Sequence, residues 1–257
     1  MHHFITSLEF LTRLRFSRRT EWHDDDFSRS VPYFPLVGLT MGLFMGLVNY
    51  VLVWLHTPEL LRAVLLLLAE LLCIGALMYD GFMDTSDGVF SARDRERMLE
   101  IMKDSHVGSN AVIALVCLVL LKVAAYTCIA PMLLTPVLVA AYTATRTFMV
   151  VYIVNYPYAR KNGIGHMFKA YAKPCYTYVA LGLGLLLLYA CGVGSTGTLL
   201  SVGSFIYLGL AILTFLVCQG IAWFLTGQLG GLTGDTWGFL TECGLVIYLI
   251  FSAYVVA

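Results

Sequence analysis

Asp80, Asp84 and Asp87 stand four and three residues apart at the end of a long apolar run, in the stretch Asp80-Gly81-Phe82-Met83-Asp84-Thr85-Ser86-Asp87-Gly88. At 100° per residue they fall within an arc of about 60°, so a helix here projects all three carboxylates from one face. Like charges at this spacing repel, more strongly beside a bilayer than in water. A divalent cation reverses the sign of that cost. Magnesium suits the role, because it shares itself between carboxylates and substrate phosphates and keeps several waters. The implied chemistry is metal-dependent work on a phosphate group, with Gly81 and Gly88 leaving room for a phosphate or a neighbouring helix to approach. The alternative is a wet interfacial turn whose aspartates pair with Arg93, Arg95 or Arg97.

Other polar residues invite roles around this ridge. Asp104 lies in Lys103-Asp104-Ser105-His106-Val107-Gly108, where the chain turns apolar again. Before it, Ser91 is a candidate helix cap with Asp94 three residues on, and Glu96, Glu100 and Asp104 recur every four residues beside Arg93 and Arg97. Arg146 sits deep in an apolar run, which calls for a diphosphate contact or a structural pair with Glu70 or an aspartate. Lys122 is expected to snorkel toward the outer surface, and Glu70 to be a protonated or hydrogen-bonded packing residue. Asp235 and Glu242, seven apart, share a face and can add carboxylates to the same site. Arg160, Lys161, Lys169 and Lys173 can meet a phosphate, or simply follow the rule that cytoplasmic loops are basic. His106 and His166 are read as hydrogen-bonding residues first. The glycine-rich stretch 227–238 lacks phosphate-loop spacing and reads as a flexible connector able to close over substrate.

The elements that must position these groups are membrane helices. Of the 257 residues 59% are hydrophobic and the mean hydropathy is +0.80, which excludes an ordinary soluble protein. The predicted fold is an all-α polytopic bundle, one membrane domain over 1–257, with about seven spans. These cover residues 35–55, 60–79, 109–129, 132–154, 175–191, 199–225 and 239–256. Residues 1–30 form an interfacial N-terminal segment, in which 1–19 suits a short helix at the headgroup level and His23-Asp24-Asp25-Asp26 a solvated connector. They carry no short apolar core with a cleavage site, so no removable signal peptide is expected. The second span climbs roughly 27 Å from Leu60 to Met78, which sets Asp80 at the membrane interface and makes 80–108 the active-site segment. Thirteen of the 16 basic residues then fall on one side, which is therefore cytoplasmic, with the N-terminus inside. No basic stretch suggests a nucleic-acid partner, and the seven cysteines, scattered without paired spacing, read as buried, inert thiols.

The aspartate stretch, the run Arg95-Glu96-Arg97-Met98-Leu99-Glu100-Ile101-Met102-Lys103-Asp104-Ser105 and Gly108 together resemble the cobalamin synthase family, the adenosylcobinamide-GDP ribazoletransferases. Further matches are Phe10-Leu11-Thr12-Arg13-Leu14, Pro35-Leu36-Val37-Gly38, Tyr158-Ala159-Arg160-Lys161 and Gly231-Leu232-Thr233-Gly234-Asp235 with Glu242, so the resemblance spans essentially the whole chain. Arg15-Phe16 departs from the proline and small apolar residue common there. The resemblance implies a transferase of the prokaryotic inner membrane. A ribose hydroxyl of α-ribazole, or of its 5′-phosphate, attacks the diphosphate of adenosylcobinamide-GDP, GMP leaves, and magnesium is required. On this reading Asp80 and Asp84 are metal ligands, and Asp87 is a third ligand or the base. Asp104 completes or orients the site, and Arg13, Arg146, Arg160, Lys161, Asp235 and Glu242 contact substrate. Besides its substrates and the bilayer, the chain is open to a homo-oligomer and to contact with other corrinoid-pathway enzymes. The rival readings are a CDP-alcohol-type lipid phosphotransferase, whose second aspartate motif is missing here, and more remotely a cation transporter.

Overall fold

The computed structural model describes residues 2–16 and 24–255, and its elements, apart from one isolated bridge, are helices. The end of the expected helix over 1–19, from residue 17 on, and His23 of the expected connector lie outside these residues. Helix α1 is His2–Leu11 and α2 Asp24–Ser30, which runs through a 3-10 turn (Val31–Tyr33) into α3, Phe34–Trp54. α4 is Glu59–Ala69, α5 Leu77–Val89 and α6 Arg95–Ile101. α7 (Ser109–Cys128), α8 (Pro131–Asn155) and the short α9 (Ile164–Ala170) follow, and α10 (Cys175–Thr196), α11 (Val202–Leu229) and α12 (Gly234–Val255) complete the chain.

Among the described residues six helices are long and apolar enough to cross a bilayer, and α4 with α5 makes a seventh span only as a bent pair. α8 is the central post: 94% of its apolar window is buried, against 22–39% for α3, α7, α10 and α11. Its alanines and threonines from Ala140 to Thr147 let α3, α10 and α12 approach closely, which is how helices pack where lipid offers no hydrophobic drive. The other spans turn leucines and aromatics such as Leu47, Leu120, Leu186, Leu216 and Trp223 outward. Such an apolar outer face is stable against acyl chains. The chain is therefore a multi-pass membrane protein.

The second span differs from the straight helix that hydropathy predicts. After α4 the backbone widens into a π turn over Glu70–Ile74, Gly75 adopts φ +99, and α5 departs at 100°. Glycine alone takes that φ without strain. The carbonyl of Cys73 at the break accepts the Arg13 backbone N–H at 3.4 Å, so the segment just after α1 lies against the gap.

The residues read as a solvated connector are helical from Asp24 onward. Phe27 of α2 joins Phe10, Phe34 and Phe168 in one aromatic cluster, and Ser28 donates to the Phe168 carbonyl at 3.0 Å. This ties α1, α2 and α9 together at one end of the bundle. The cysteines are free, but only Cys218 is fully buried, while Cys117, Cys128 and Cys175 sit on outer faces.

Candidate active site

α5 carries its apolar and small residues (Met78, Tyr79, Gly81, Phe82, Thr85, Ser86) inward and its aspartates outward. Phe82 stacks on Phe239 with centroids 5.0 Å apart, which fixes the rotation of the helix against α12. Gly81 permits the contact: a Cβ there would stand 2.7 Å from the Asp235 carbonyl oxygen. The acidic ridge therefore faces an open cavity of about 320 Å³ whose lining includes Asp80, Asp84, Asp87, Lys103, Asp104 and His106. The three ridge carboxylates share one wall, as the helical spacing predicts. Asp84, half-buried, feels the charges of Asp80, Asp235 and Asp87, with Arg160 as the opposing cation.

Two of the carboxylates are held by the chain that re-enters the membrane. Asp87 Oδ2 accepts the Gly108 N–H at 2.8 Å, fastening the end of α5 to the start of α7. Asp104 Oδ1 accepts both the His106 backbone N–H, at 3.0 Å, and the ring Nδ1, at 2.6 Å. The bonds from His106 hold the Asp104 carboxyl below its ordinary 3.8, and Asp104 holds the imidazole above its ordinary 6.5. Asp94, not Ser91, caps α6, accepting the Arg97 N–H at 2.9 Å, because the helix starts only at Arg95. Ser91 instead donates to the Gly88 carbonyl. Arg97 pairs with Glu100 in its own helix and Arg95 donates to the Leu229 carbonyl at the end of α11, so these two arginines are engaged away from the ridge aspartates.

A second cavity, of about 310 Å³, adjoins the first, with Asp80 and Lys103 in both linings. Here Arg160 Nη1 meets Asp235 Oδ2 at 2.7 Å. The glycine-rich stretch is pinned rather than loose. Ala159 N–H donates to the Leu232 carbonyl and Leu232 N–H to that of Pro157, each at 2.8 Å, so residues 157–160 lie along 230–235. α12 begins at Gly234, five residues before the apolar run suggests, which puts Asp235 in its first turn. Arg13 lines a third, larger cavity beside Gly75, and Lys161 is exposed and lines none of these.

Two other site candidates lie in the interior. Glu242 Oε2 meets Lys122 Nζ at 2.7 Å, and the same nitrogen reaches Glu70 Oε1 at 3.0 Å and the Tyr79 hydroxyl at 2.7 Å. Lys122 is wholly buried and does not snorkel. Two carboxylates and a hydroxyl inside the bundle hold the ammonium better than a stretched stem to the surface would. Arg146 is buried over the Tyr142 ring and donates to Thr145 Oγ1 at 3.2 Å, and it makes no ion pair among the described residues. Neither Glu242 nor Arg146 lines the two cavities. The interior network left no periodic signal, since its members come from four separate segments.

No trio drawn from the ridge brings its oxygens within 4.8 Å of one another; among the described residues only His2, His3 and Asp26 do so, away from the ridge. Magnesium does not need such a cage, because it binds through one or two carboxylates and completes its shell with water and phosphate oxygens. The ridge carboxylates on one open wall fit that manner of binding.

Residues 3–253 match the family model described as cobalamin-5-phosphate synthase. This chain is a member of that family. Similar cobalamin synthase relatives are adenosylcobinamide-GDP ribazoletransferases from Klebsiella pneumoniae (strain 342), Shigella flexneri and Escherichia coli O157:H7. Each is 35% identical over 96% of this chain and 97% of its own. No solved structure matches this cobalamin synthase chain. Membership makes it a transferase of cobalamin biosynthesis and sets aside the lipid phosphotransferase and transporter readings.

Proposed function

We propose that this protein joins adenosylcobinamide-GDP to α-ribazole or its 5′-phosphate, releasing GMP, with magnesium, at the cytoplasmic face of a prokaryotic inner membrane. The observation that carries this reading is the single wall of Asp80, Asp84 and Asp87 facing a cavity that adjoins one holding Arg160 and Asp235. Phosphoryl transfer needs positioning and charge neutralisation more than covalent chemistry.

In the reaction the ribose hydroxyl oxygen forms a bond to the phosphorus that stays with the corrinoid, and the bond from that phosphorus to the GMP oxygen breaks. Magnesium, held by Asp80 and Asp84, would draw charge from the diphosphate oxygens. Lys103, on the border of the two cavities, and Arg160 offer cationic donors to the same oxygens. The hydroxyl proton goes to a carboxylate, for which Asp87 is the candidate: Gly108 occupies one of its oxygens and leaves the other. Asp104, committed to His106, orients the mouth of the cavity. The cytoplasmic assignment rests on the basic residues gathered at the end that holds both cavities.

The test is GMP release by purified protein given adenosylcobinamide-GDP, α-ribazole phosphate and magnesium. Turnover is expected to stop with chelator and to fall on the order of 100-fold or more in Asp80→Ala and Asp84→Ala. Folded wild-type protein without turnover would remove the reaction. Turnover that survives in the aspartate variants would remove the metal site alone.

A further inference from the structure

The second cavity has a lining unlike the first. Phe10, Met78, Met149, Phe168, Tyr158 and Trp237 form its walls, and its acidic groups are Asp80, on the border, and Asp235, engaged by Arg160. The Tyr158 and Trp237 rings stand 5.7 Å apart. Trp237 is 3% exposed, and its indole N–H is buried without a hydrogen-bond partner. A buried donor left unpaired is costly, and an acceptor arriving from a bound molecule relieves that cost.

We infer that this cavity takes the base of the ribazole substrate, a flat apolar benzimidazole-type ring, with the Trp237 N–H donating to its free ring nitrogen. The inference rests on the reaction proposed above and assigns one of its two substrates to one cavity. Size agrees: about 310 Å³ suits a nucleoside and is far too small for a corrinoid. Polarity separates the two bases in the reaction. Guanine presents N–H donors at N1 and N2 and asks for acceptors opposite them. Among the side-chain acceptors here, Asp235 is already engaged by Arg160 and Thr233, Asp80 belongs to the ridge, and Asn162 is exposed. A glycosylated benzimidazole has no N–H and a single acceptor nitrogen, the complement of the Trp237 indole donor between aromatic walls, while the charged donors of the lining, Lys103 and Arg160, are the groups offered to the diphosphate. Position agrees as well. Asp80 and Lys103 border both cavities, so a base seated here leaves its ribose at the edge of the carboxylate wall.

Two variants test the assignment without touching the ridge. Trp237→Phe keeps an aromatic ring, smaller than the indole, and removes the donor. Gly234→Val projects a side chain from a cavity-lining position where a Cβ meets nothing within 4 Å. Equilibrium binding of α-ribazole, measured by calorimetry with magnesium and without corrinoid, is expected to weaken about 5–10-fold in Trp237→Phe, the loss of one hydrogen bond, and further in Gly234→Val. In turnover the KM for ribazole should rise while that for adenosylcobinamide-GDP holds. Should Trp237→Phe fail to elute as a folded protein, Gly234→Val decides. Equal ribazole binding by folded variants and wild type, no binding by the wild type, or a KM rise confined to adenosylcobinamide-GDP would overturn the inference. Ribazole binding that responds to the variants in a wild type without turnover would keep the cavity and remove the reaction; normal turnover with unresponsive binding would do the reverse.

Discussion

At the scale of single residues the candidate site divides into groups that are free to meet substrate and groups already committed within the protein. Asp80 and Asp84 face the cavity, whereas Asp104 is spoken for by His106. That tie is testable by titration. The imidazole lies above its ordinary 6.5 because Asp104 accepts its ring N–H, so Asp104→Asn should bring the His106 titration, followed by NMR, back toward 6.5. Because the folded value is the raised one, the tie is complete below about 6.5 and is lost as pH rises through the raised value. A His106 titration identical in both proteins would mean the pair does not form in solution. The helical period was enough to put three aspartates on one wall. It could not tell that Asp235 belongs with Arg160, because residues 75 positions apart meet only through the bridge between Tyr158 and Leu232.

At the scale of elements, α5 is the part whose placement decides the site. It is held from one side by close approach to α12 and from the other by the buried cluster of Tyr79, Glu70, Lys122 and Glu242. Gly81→Val would drive a side chain into the Asp235 backbone. An expected loss of about 1–3 kcal/mol, seen as a lower unfolding midpoint, follows from overpacking. An unchanged midpoint would show that the two helices have room to spare. Lys122→Met leaves two buried carboxylates without the cation that contacts both, and breaking a buried pair on one side costs about 3–5 kcal/mol. Adding Glu70→Gln and Glu242→Gln should recover part of that loss in thermal unfolding; no recovery would mean that the lysine acts through packing alone. Hydropathy located the apolar run that α4 and α5 share but not the turn between them, since a π turn and one glycine at positive φ leave the apolar count unchanged.

At the scale of the whole molecule, the short helices α1, α2 and α9, the α6 segment and both cavities gather at one end of a bundle built around α8. Cys128 closes α7 and Cys175 opens α10, both exposed and, by the helix order, at opposite ends. In sealed right-side-out vesicles an impermeant thiol reagent should modify Cys128 and spare Cys175 until the membrane is opened; the reverse pattern would invert the proposed orientation. The sequence by itself determined the membrane class, the helical fold, the acidic ridge and the family, because hydropathy, helical period and contiguous motifs are all local properties of the chain. Only the tertiary structure decided the bend between α4 and α5, the burial of Lys122, the partner of Asp235 and the joining of two cavities at Asp80. Each of those depends on which distant helices become neighbours, and in a bundle whose spans are all apolar the neighbours are chosen by the fit of small residues and the few buried charges.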